Sequence, residues 1–355
     1  MIYSDKKEAG HFQTMDQSAT KRSTIADIAA KAGVSVPTVS RVLHHRPDVA
    51  PDTRRRVEQI IEECGFTRSR ERSALRKVSS GIVDMIVPDL TNLYSVEIVR
   101  GVEEVLERTD LRLALSLTSE SPLLEQRWLS KVLGGATDGA ILVLALGQSQ
   151  HLDLLRSNKI PFVVVDHRGE LDTDIPSVGA TNWLGGRTAT EYLISLGHRR
   201  VAMISGPPSH QCSRDRIAGY RAALEQAGIA VDPMLIRPGN FAQASGYEQT
   251  CALLDFTNPP TAIFAGSDAQ AMGVYSALHA HGLSVPKDMS VVGFDDVAIA
   301  SLVTPTLTTV RQPLTEMGRT ATRMLLRHIS EEPLDSMRVE LTTNLVVRDS
   351  CAPFQ

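Results

Sequence analysis

The chain has 355 residues, with 37 Lys and Arg against 41 Asp and Glu and a formal net charge of −4. Hydrophobic residues make up 42% and charged residues 22%, the balance of a globular protein, which excludes a wholly disordered chain. The longest apolar run, around Gly139 to Gly147, falls far short of the ~18 residues of a membrane span, and the N-terminus carries no apolar core followed by a small-residue cleavage site.

Residues 1–23 are polar, mixed in charge and without hydrophobic period, which predicts a disordered tail; Met15 is an alternative start within it. Residues 24–66 predict three short helices. Thr24 followed by Asp27 is a start resembling a capping box, with the acid in the positive first turn. Ile25, Ile28 and Ala29 then fall on one face, and Gly33 ends the helix where a left-handed residue costs least. Ser35 caps the second helix, Pro37 fits its first turn, and Val39, Val42 and Leu43 form its apolar face. The third helix starts near Pro51 and turns Val57, Ile60 and Ile61 inward, ending at Gly65. Two helices joined by a short turn with a third across them is a helix-turn-helix. Residues 67–80 follow as a basic linker around one apolar residue, Leu75, either able to become helical against DNA or simply a charged tether.

Residues 1–80 hold 15 Lys and Arg against 10 Asp and Glu, net +5, whereas the remaining 275 hold 22 against 31, net −9. A basic head on an acidic body predicts that the head alone meets a polyanion; chance and solvated helix faces are the alternative. The cysteines, Cys64, Cys212, Cys251 and Cys351, form no C-x-x-C pair and read as reduced structural thiols of a cytosolic protein.

From Gly81 apolar strands alternate with amphipathic helices. Strands are predicted at Ile82–Val87, Leu111–Leu117, Ala140–Leu146 and Phe162–Asp166. After a helix from Trp183 to the Ser195–His198 stretch the rhythm restarts, with strands at Val201–Ser205, Ala262–Ala265 and Val291–Phe294 and helices over 214–227, 245–255 and 269–283. Such alternation gives parallel sheets covered on both faces. Two sets of about 110 residues imply two α/β lobes, whose ligand sits at the C-terminal strand ends in the crevice between them.

The run from Thr24 to Ala29 and on through Gly33-Val34-Ser35-Val36-Pro37-Thr38-Val39-Ser40-Arg41-Val42-Leu43 closely resembles the helix-turn-helix of the lactose/galactose repressor family. Asn92-Leu93-Tyr94, Leu196 to Val201, Arg216 to Tyr220, Ser267-Asp268, Val292 to Asp296 and Leu307 to Val310 follow in the family's order, so the resemblance spans roughly residues 24–349. It implies an all-α helix-turn-helix head on a two-lobed α/β body similar to the type I periplasmic binding proteins. It places the first lobe at about 81–182 and 310–335 and the second at about 183–309 and 336–350. It also implies a cytoplasmic bacterial homodimer on double-stranded operator DNA, with a small effector, most naturally a sugar, between the lobes, and no cofactor or membrane.

Within the head, Ser35, Val36, Pro37, Thr38, Ser40 and Arg41 are predicted to face base edges. Arg41 has the reach for guanine O6 and N7, a phosphate contact or surface ion pair being the alternative. Val36 and Pro37 offer only apolar contact to sugars or a thymine methyl. Thr24, His44 and Thr53 are candidate phosphate or groove contacts, or local caps. Leu75 matches the family's minor-groove wedge. Ser69 and Arg72 stand where the family commonly has Asn and Ala, so Ser69 still caps while Arg72 adds charge. Ala50 replaces a common Ser cap.

For the effector, the resemblance points to Tyr94, Asp166, Arg216, Phe241, Asp268 and Asp295: planar groups for vicinal hydroxyls and an aromatic face for the ring. A helix cap is the alternative for Asp268, core packing for Phe241. No nucleophile elbow, metalloprotease helix, phosphate loop or dinucleotide fingerprint is present, so neither an enzyme nor a metal site is expected; a nucleobase or sugar phosphate is the alternative effector, and an exported solute-binding protein the alternative role.

Overall fold

The computed structural model describes residues 25–43, 49–63, 80–91, 93–119, 121–144 and 149–354. The predicted tail, Thr24, His44, Ser69, Arg72 and Leu75 lie outside the described residues. The chain divides into two compact units, Met1–Lys77 and Val78–Gln355.

The first unit contains α1 (Ile25–Ala32), α2 (Val36–Leu43) and α3 (Pro51–Glu63). Ile28, Ala29, Ala32, Val39, Val42 and Val57 pack into one core, with Val34, Val49, Ile60 and Ile61 against it. The spacings of three and four residues put these side chains on one stripe of each helix. Gly33 adopts φ +63°. The amide of Val34 bonds back to the Ala29 carbonyl at 3.0 Å, closing the turn. Ser35 caps α2: its Oγ accepts from the Thr38 amide at 3.4 Å and lies 2.9 Å from the Thr38 hydroxyl.

The second unit holds two six-stranded sheets. In chain order its elements are β1 (Ile82–Val87), α4 (Leu93–Leu106), β2 (Arg112–Leu117), α5 (Pro122–Lys131), β3 (Gly139–Val143), α6 (Ser149–Ser157), β4 (Phe162–Val165), β5 (Ser177–Ala180), α7 (Asn182–Ser195), β6 (Val201–Ile204), α8 (Gln211–Gln226), β7 (Ile236–Arg237), α9 (Gln243–Leu254), β8 (Ala262–Ala265), α10 (Asp268–Ala280), β9 (Ser290–Asp295), α11 (Ile299–Leu302), β10 (Thr308–Arg311), α12 (Leu314–Ile329), β11 (Arg338–Leu341) and β12 (Asn344–Val346). The first sheet runs β11-β5-β4-β3-β1-β2 and the second β12-β10-β9-β8-β6-β7. Each pairing between neighbouring strands is parallel except β10 with β12. Side-chain alternation gives each sheet two cores. Val83, Met85 and Val87 of β1 pack toward α4 and α12, while Ile86 packs with Trp128 on the other face.

The chain passes between lobes three times, at Ala180–Asn182, Arg311–Leu314 and Leu341–Asn344. Two boundaries differ from the sequence reading. The second lobe keeps β10, so the return to the first lobe comes after Arg311 rather than at 310. The segment from 336, expected in the second lobe, first supplies β11 to the first sheet. Arg338 to Leu341 pair with Ser177 to Ala180, covering the edge that β5 would otherwise leave open. The strand predicted over Ala140–Leu146 also ends sooner, at Val143, where Leu144 turns to φ +47°.

Candidate DNA interface and effector cavity

In the head, α2 turns Ser35, Pro37 and Arg41 outward, and Val36 is 46% exposed. Thr38 and Ser40 are half-buried, as is Thr53 on the first turn of α3. One helix thus presents a cap hydroxyl and two small apolar surfaces at its N-terminal end and a guanidinium in its last turn. That is a set of donors and contacts of the size a major groove admits.

In the body, Tyr94, Leu144 and Asp166 from the first lobe meet Cys212, Arg216, Phe241, Ser267 and Asp295 from the second around a cavity of about 280 Å³, its open mouth included. Tyr94 sits on the first turn of α4 after β1, and Leu144 and Asp166 follow β3 and β4. Asp295 ends β9, and Ser267 and Phe241 follow β8 and β7. The cavity therefore lies at the C-terminal ends of parallel strands of both sheets, where such folds leave a crevice. Leu144, Asp166, Phe241 and Asp295 have φ of +47°, +44°, +65° and +115°. Half of the lining residues thus hold the left-handed backbone that costs non-glycine residues of order 1–3 kcal/mol each and clusters where a ligand is gripped.

Arg216 anchors the second-lobe side. It is 3% exposed. Its Nε donates to Asn182 Oδ1 at 2.8 Å and one terminal nitrogen to the Gly266 carbonyl at 2.5 Å. Its guanidinium carbon lies 3.6 Å from the centre of the Phe294 ring, a desolvated cation–π contact. Asp295 accepts from Gln312 Nε2 at 2.7 Å. Burial lifts its carboxyl to about 6, against the opposing pull of Arg216. Across the cavity the Tyr94 hydroxyl donates to Asp166 Oδ2 at 2.5 Å. Burial raises the Asp166 carboxyl too, while the Tyr94 bond and Arg216 lower it. Burial pushes the Cys212 thiol up to about 12, so it meets a ligand as a neutral, apolar surface.

Phe241 is fixed from three sides. Its carbonyl accepts from the Ser267 hydroxyl at 2.9 Å. Its ring stacks on His210 at 5.9 Å between centroids, the two planes nearly parallel at 2°. The ring also covers Gly206, where an added Cβ would lie 1.9 Å from Phe241 Cζ, so no larger residue fits beneath it. His210 belongs to a contact between the lobes. The Gly169 amide donates to the Ser209 carbonyl at 2.9 Å and the Gln211 amide to the His167 carbonyl at 3.1 Å. These bonds close an antiparallel bridge of Arg168 with His210. Burial and the nearby Arg168, Arg216 and Arg214 hold the His210 imidazole down at about 4.

Asp268 does not line this cavity. It is fully buried behind it, where Oδ1 accepts from the Thr309 hydroxyl at 2.6 Å and Oδ2 from the Val297 amide at 2.9 Å. Burial, and then Asp295, raise it well above an ordinary carboxylate. The structure thus brings five of the six predicted effector residues together and gives the sixth the task of holding the loop after β9. Leu144, Cys212 and Ser267 complete the wall without having been predicted. Cys212 had a signal, since it lies four residues before Arg216 on one helix and shares its face.

Residues 24–69 match the family described as bacterial regulatory proteins, lacI family, and residues 190–351 match a periplasmic binding protein-like domain. Catabolite control protein A of Priestia megaterium is similar, 33% identical over 331 residues that span 92% of this chain and 98% of that protein. The complex of the transcriptional regulator CelR with cellobiose superposes with a TM-score of 0.73 at 33% identity, over 93% of this chain and 100% of that one. The lac repressor dimer bound to operator and the anti-inducer ONPF gives 0.68 at 28% identity, over 94% and 100%.

Proposed function

The chain belongs to the lacI family of bacterial regulatory proteins, DNA-binding transcriptional regulators that answer to small molecules, and on that premise we propose that it is a repressor controlled by a neutral sugar in the cavity between its lobes. The observation that carries the effector class is the donor and acceptor set of the wall. Arg216, Asp166, Asp295 and Tyr94 are buried and held in fixed orientation, and Phe241 supplies an apolar plane beside them. Buried polar groups that face a ligand reject one that cannot pair with them. Vicinal hydroxyls donate to carboxylates and accept from a guanidinium, and an aromatic ring covers the C–H face of a pyranose. The two carboxylates outnumber the guanidinium, which leaves no surplus positive charge for a phosphate ester.

On the DNA side, Arg41 reads guanine while Ser35, Val36, Pro37, Thr38 and Ser40 fit the groove and Thr53 meets the backbone. Thr24 and His44 add backbone contacts, and Ser69, Arg72 and Leu75 supply the minor-groove segment. Two copies of the chain, each with one head, require a pseudo-palindromic site with half-sites about one helical turn apart. The effector changes operator affinity because it binds one arrangement of the lobes better than the other.

The test is a thermal-shift panel of D-glucose, D-ribose, cellobiose, D-glucose 6-phosphate and adenine on the full chain. A neutral sugar at about 100 times its Kd stabilises the folded state by about 2.7 kcal/mol. A shift by adenine alone moves the effector to nucleobases, and one confined to the phosphate ester moves it to sugar phosphates. No shift from any carbohydrate ends the sugar proposal.

A further inference from the structure

We propose that Asn182 and Gln312 are positioning residues that tie the two strongest ligand-facing side chains of the cavity to two of the three interlobe crossovers, so that occupancy is felt directly where the lobes pivot. The proposal rests on the reading above, in which Arg216 and Asp295 touch the effector. Asn182 is the first residue of α7, immediately past the first crossover, and is 5% exposed. Its amide spans two lobes: Nδ2 donates to the Ala180 carbonyl at 3.0 Å, and Oδ1 accepts from Arg216 Nε at 2.8 Å. Gln312 lies in the second crossover and is 4% exposed. Its backbone amide donates to the Asp295 carbonyl at 3.2 Å and its Nε2 to Asp295 Oδ1 at 2.7 Å. Its Oε1 has no hydrogen-bond partner among the described residues, so the bond to Asp295 is what orients the amide there.

The third crossover joins the first. The Thr343 amide donates to Thr181 Oγ1 at 3.0 Å, and the Thr181 amide to the Leu341 carbonyl at 3.0 Å. A ligand that draws on Arg216 and Asp295 therefore competes with, or reinforces, bonds whose other ends are side chains of crossover residues. Spatial contiguity alone is weak evidence of coupling. Here each link includes a buried side-chain hydrogen bond to a residue on the pivot, and each side-chain bond can be cut separately, the backbone bond from Gln312 to Asp295 remaining.

Two readouts on the full chain test this. The first needs no ligand: amide exchange at residues 181–185 and 312–317, measured by mass spectrometry, reports opening of the crossovers. Arg216→Ala should speed exchange at the first crossover and not the second. In an Asn182→Ala background the same change should add nothing, because the link is already cut. Equal acceleration at both crossovers, or full additivity, overturns the proposal. The second readout uses the sugar giving the largest shift in the panel above and the duplex that the protein selects from a random pool. Asn182→Ala and Gln312→Ala should each reduce at least tenfold the factor by which that sugar changes duplex affinity, with the sugar's own Kd altered less than threefold. Asn182→Asp, which keeps the acceptor for Arg216 but loses the donor to the Ala180 carbonyl, should leave the factor as low as Asn182→Ala does, and a restored factor would overturn the link through Ala180. An unchanged factor also overturns the proposal. If no sugar binds the unaltered chain, the effector reading fails, and the exchange experiment still decides this one.

Discussion

Asp295 and His210 respond to acid in opposite directions, and the difference is measurable. Burial lifts Asp295 from 3.8 to about 6 and lowers His210 from 6.5 to about 4. As pH falls from about 6 toward 4, folded Asp295 takes up a proton that the unfolded chain still refuses, so this group stabilises the fold increasingly. Over nearly the same window the unfolded chain protonates His210 while the folded protein does not, so that group takes stability away. Each effect is on the order of 2–3 kcal/mol, and in the unaltered chain they offset. Asp295→Asn removes the compensating gain. Its urea midpoint should therefore decline relative to the unaltered chain between pH 7 and 4.5, by that order of free energy; parallel pH curves for the two proteins contradict the assignment. Much of this site was legible in the sequence, because Arg216 and Asp295 lie in distinctive motifs at helix and strand ends. Asp268 was legible only in part. An aspartate after Ser267 reads equally as a ligand group or a cap, and its true partners, Thr309 and Val297, are set by the meeting of β9 and β10 with α10. Asn182 and Gln312 gave no signal, since their partners are 34 and 17 residues away.

The elements meet through glycine, and this fixes the base of the first lobe on which Tyr94 stands. At the crossing of α4 and α12, a Cβ on Gly101 would lie 1.9 Å from the Thr315 carbonyl oxygen, and one on Gly318 would lie 2.2 Å from the Ile98 carbonyl oxygen. Both obstacles are backbone and cannot swing aside, so an added methyl must push the helices apart. The ion pair across the crossing, Arg319 with Glu104, is more than a third exposed on both sides and adds little. Gly101→Ala should therefore cost about 1–3 kcal/mol by overpacking. Gly134→Ala, where nothing lies within 4 Å, should change stability by less than about 0.5 kcal/mol. Melting temperatures of the two variants decide; equal values remove the close crossing. The helices of this lobe could be read from their apolar stripe and most central strands from short unbroken apolar runs, because those strands are buried on both faces. β11 could not. Arg338 to Leu341 alternate exposed and half-buried, the pattern of an edge strand, and only pairing with Ser177 to Ala180 assigns them to the first sheet.

At the scale of the whole chain, a net charge of −4 divides into +5 over residues 1–80 and −9 over the rest. The acidic body repels a polyanion, and the basic head attracts it. The cavity groups, by contrast, lie out of reach of salt, because buried charges are screened much less than exposed ones. The two affinities of the molecule must then respond differently to ionic strength. Neutralising six to ten phosphates across two heads releases condensed counterions, and operator affinity falls by about 10³–10⁵ between 50 and 200 mM salt. Sugar affinity over the same range should move by less than about twofold. Filter binding of the selected duplex and calorimetric titration of the sugar, run on the same preparation at both salt concentrations, measure the two slopes. A steep operator slope with a flat sugar slope follows from a basic head that alone meets the duplex and a cavity whose charged groups are buried and bind a neutral ligand. A flat operator slope would show that base contacts and apolar fit from Val36 and Pro37 outweigh the phosphates, and a steep sugar slope would mean that the ligand itself is charged.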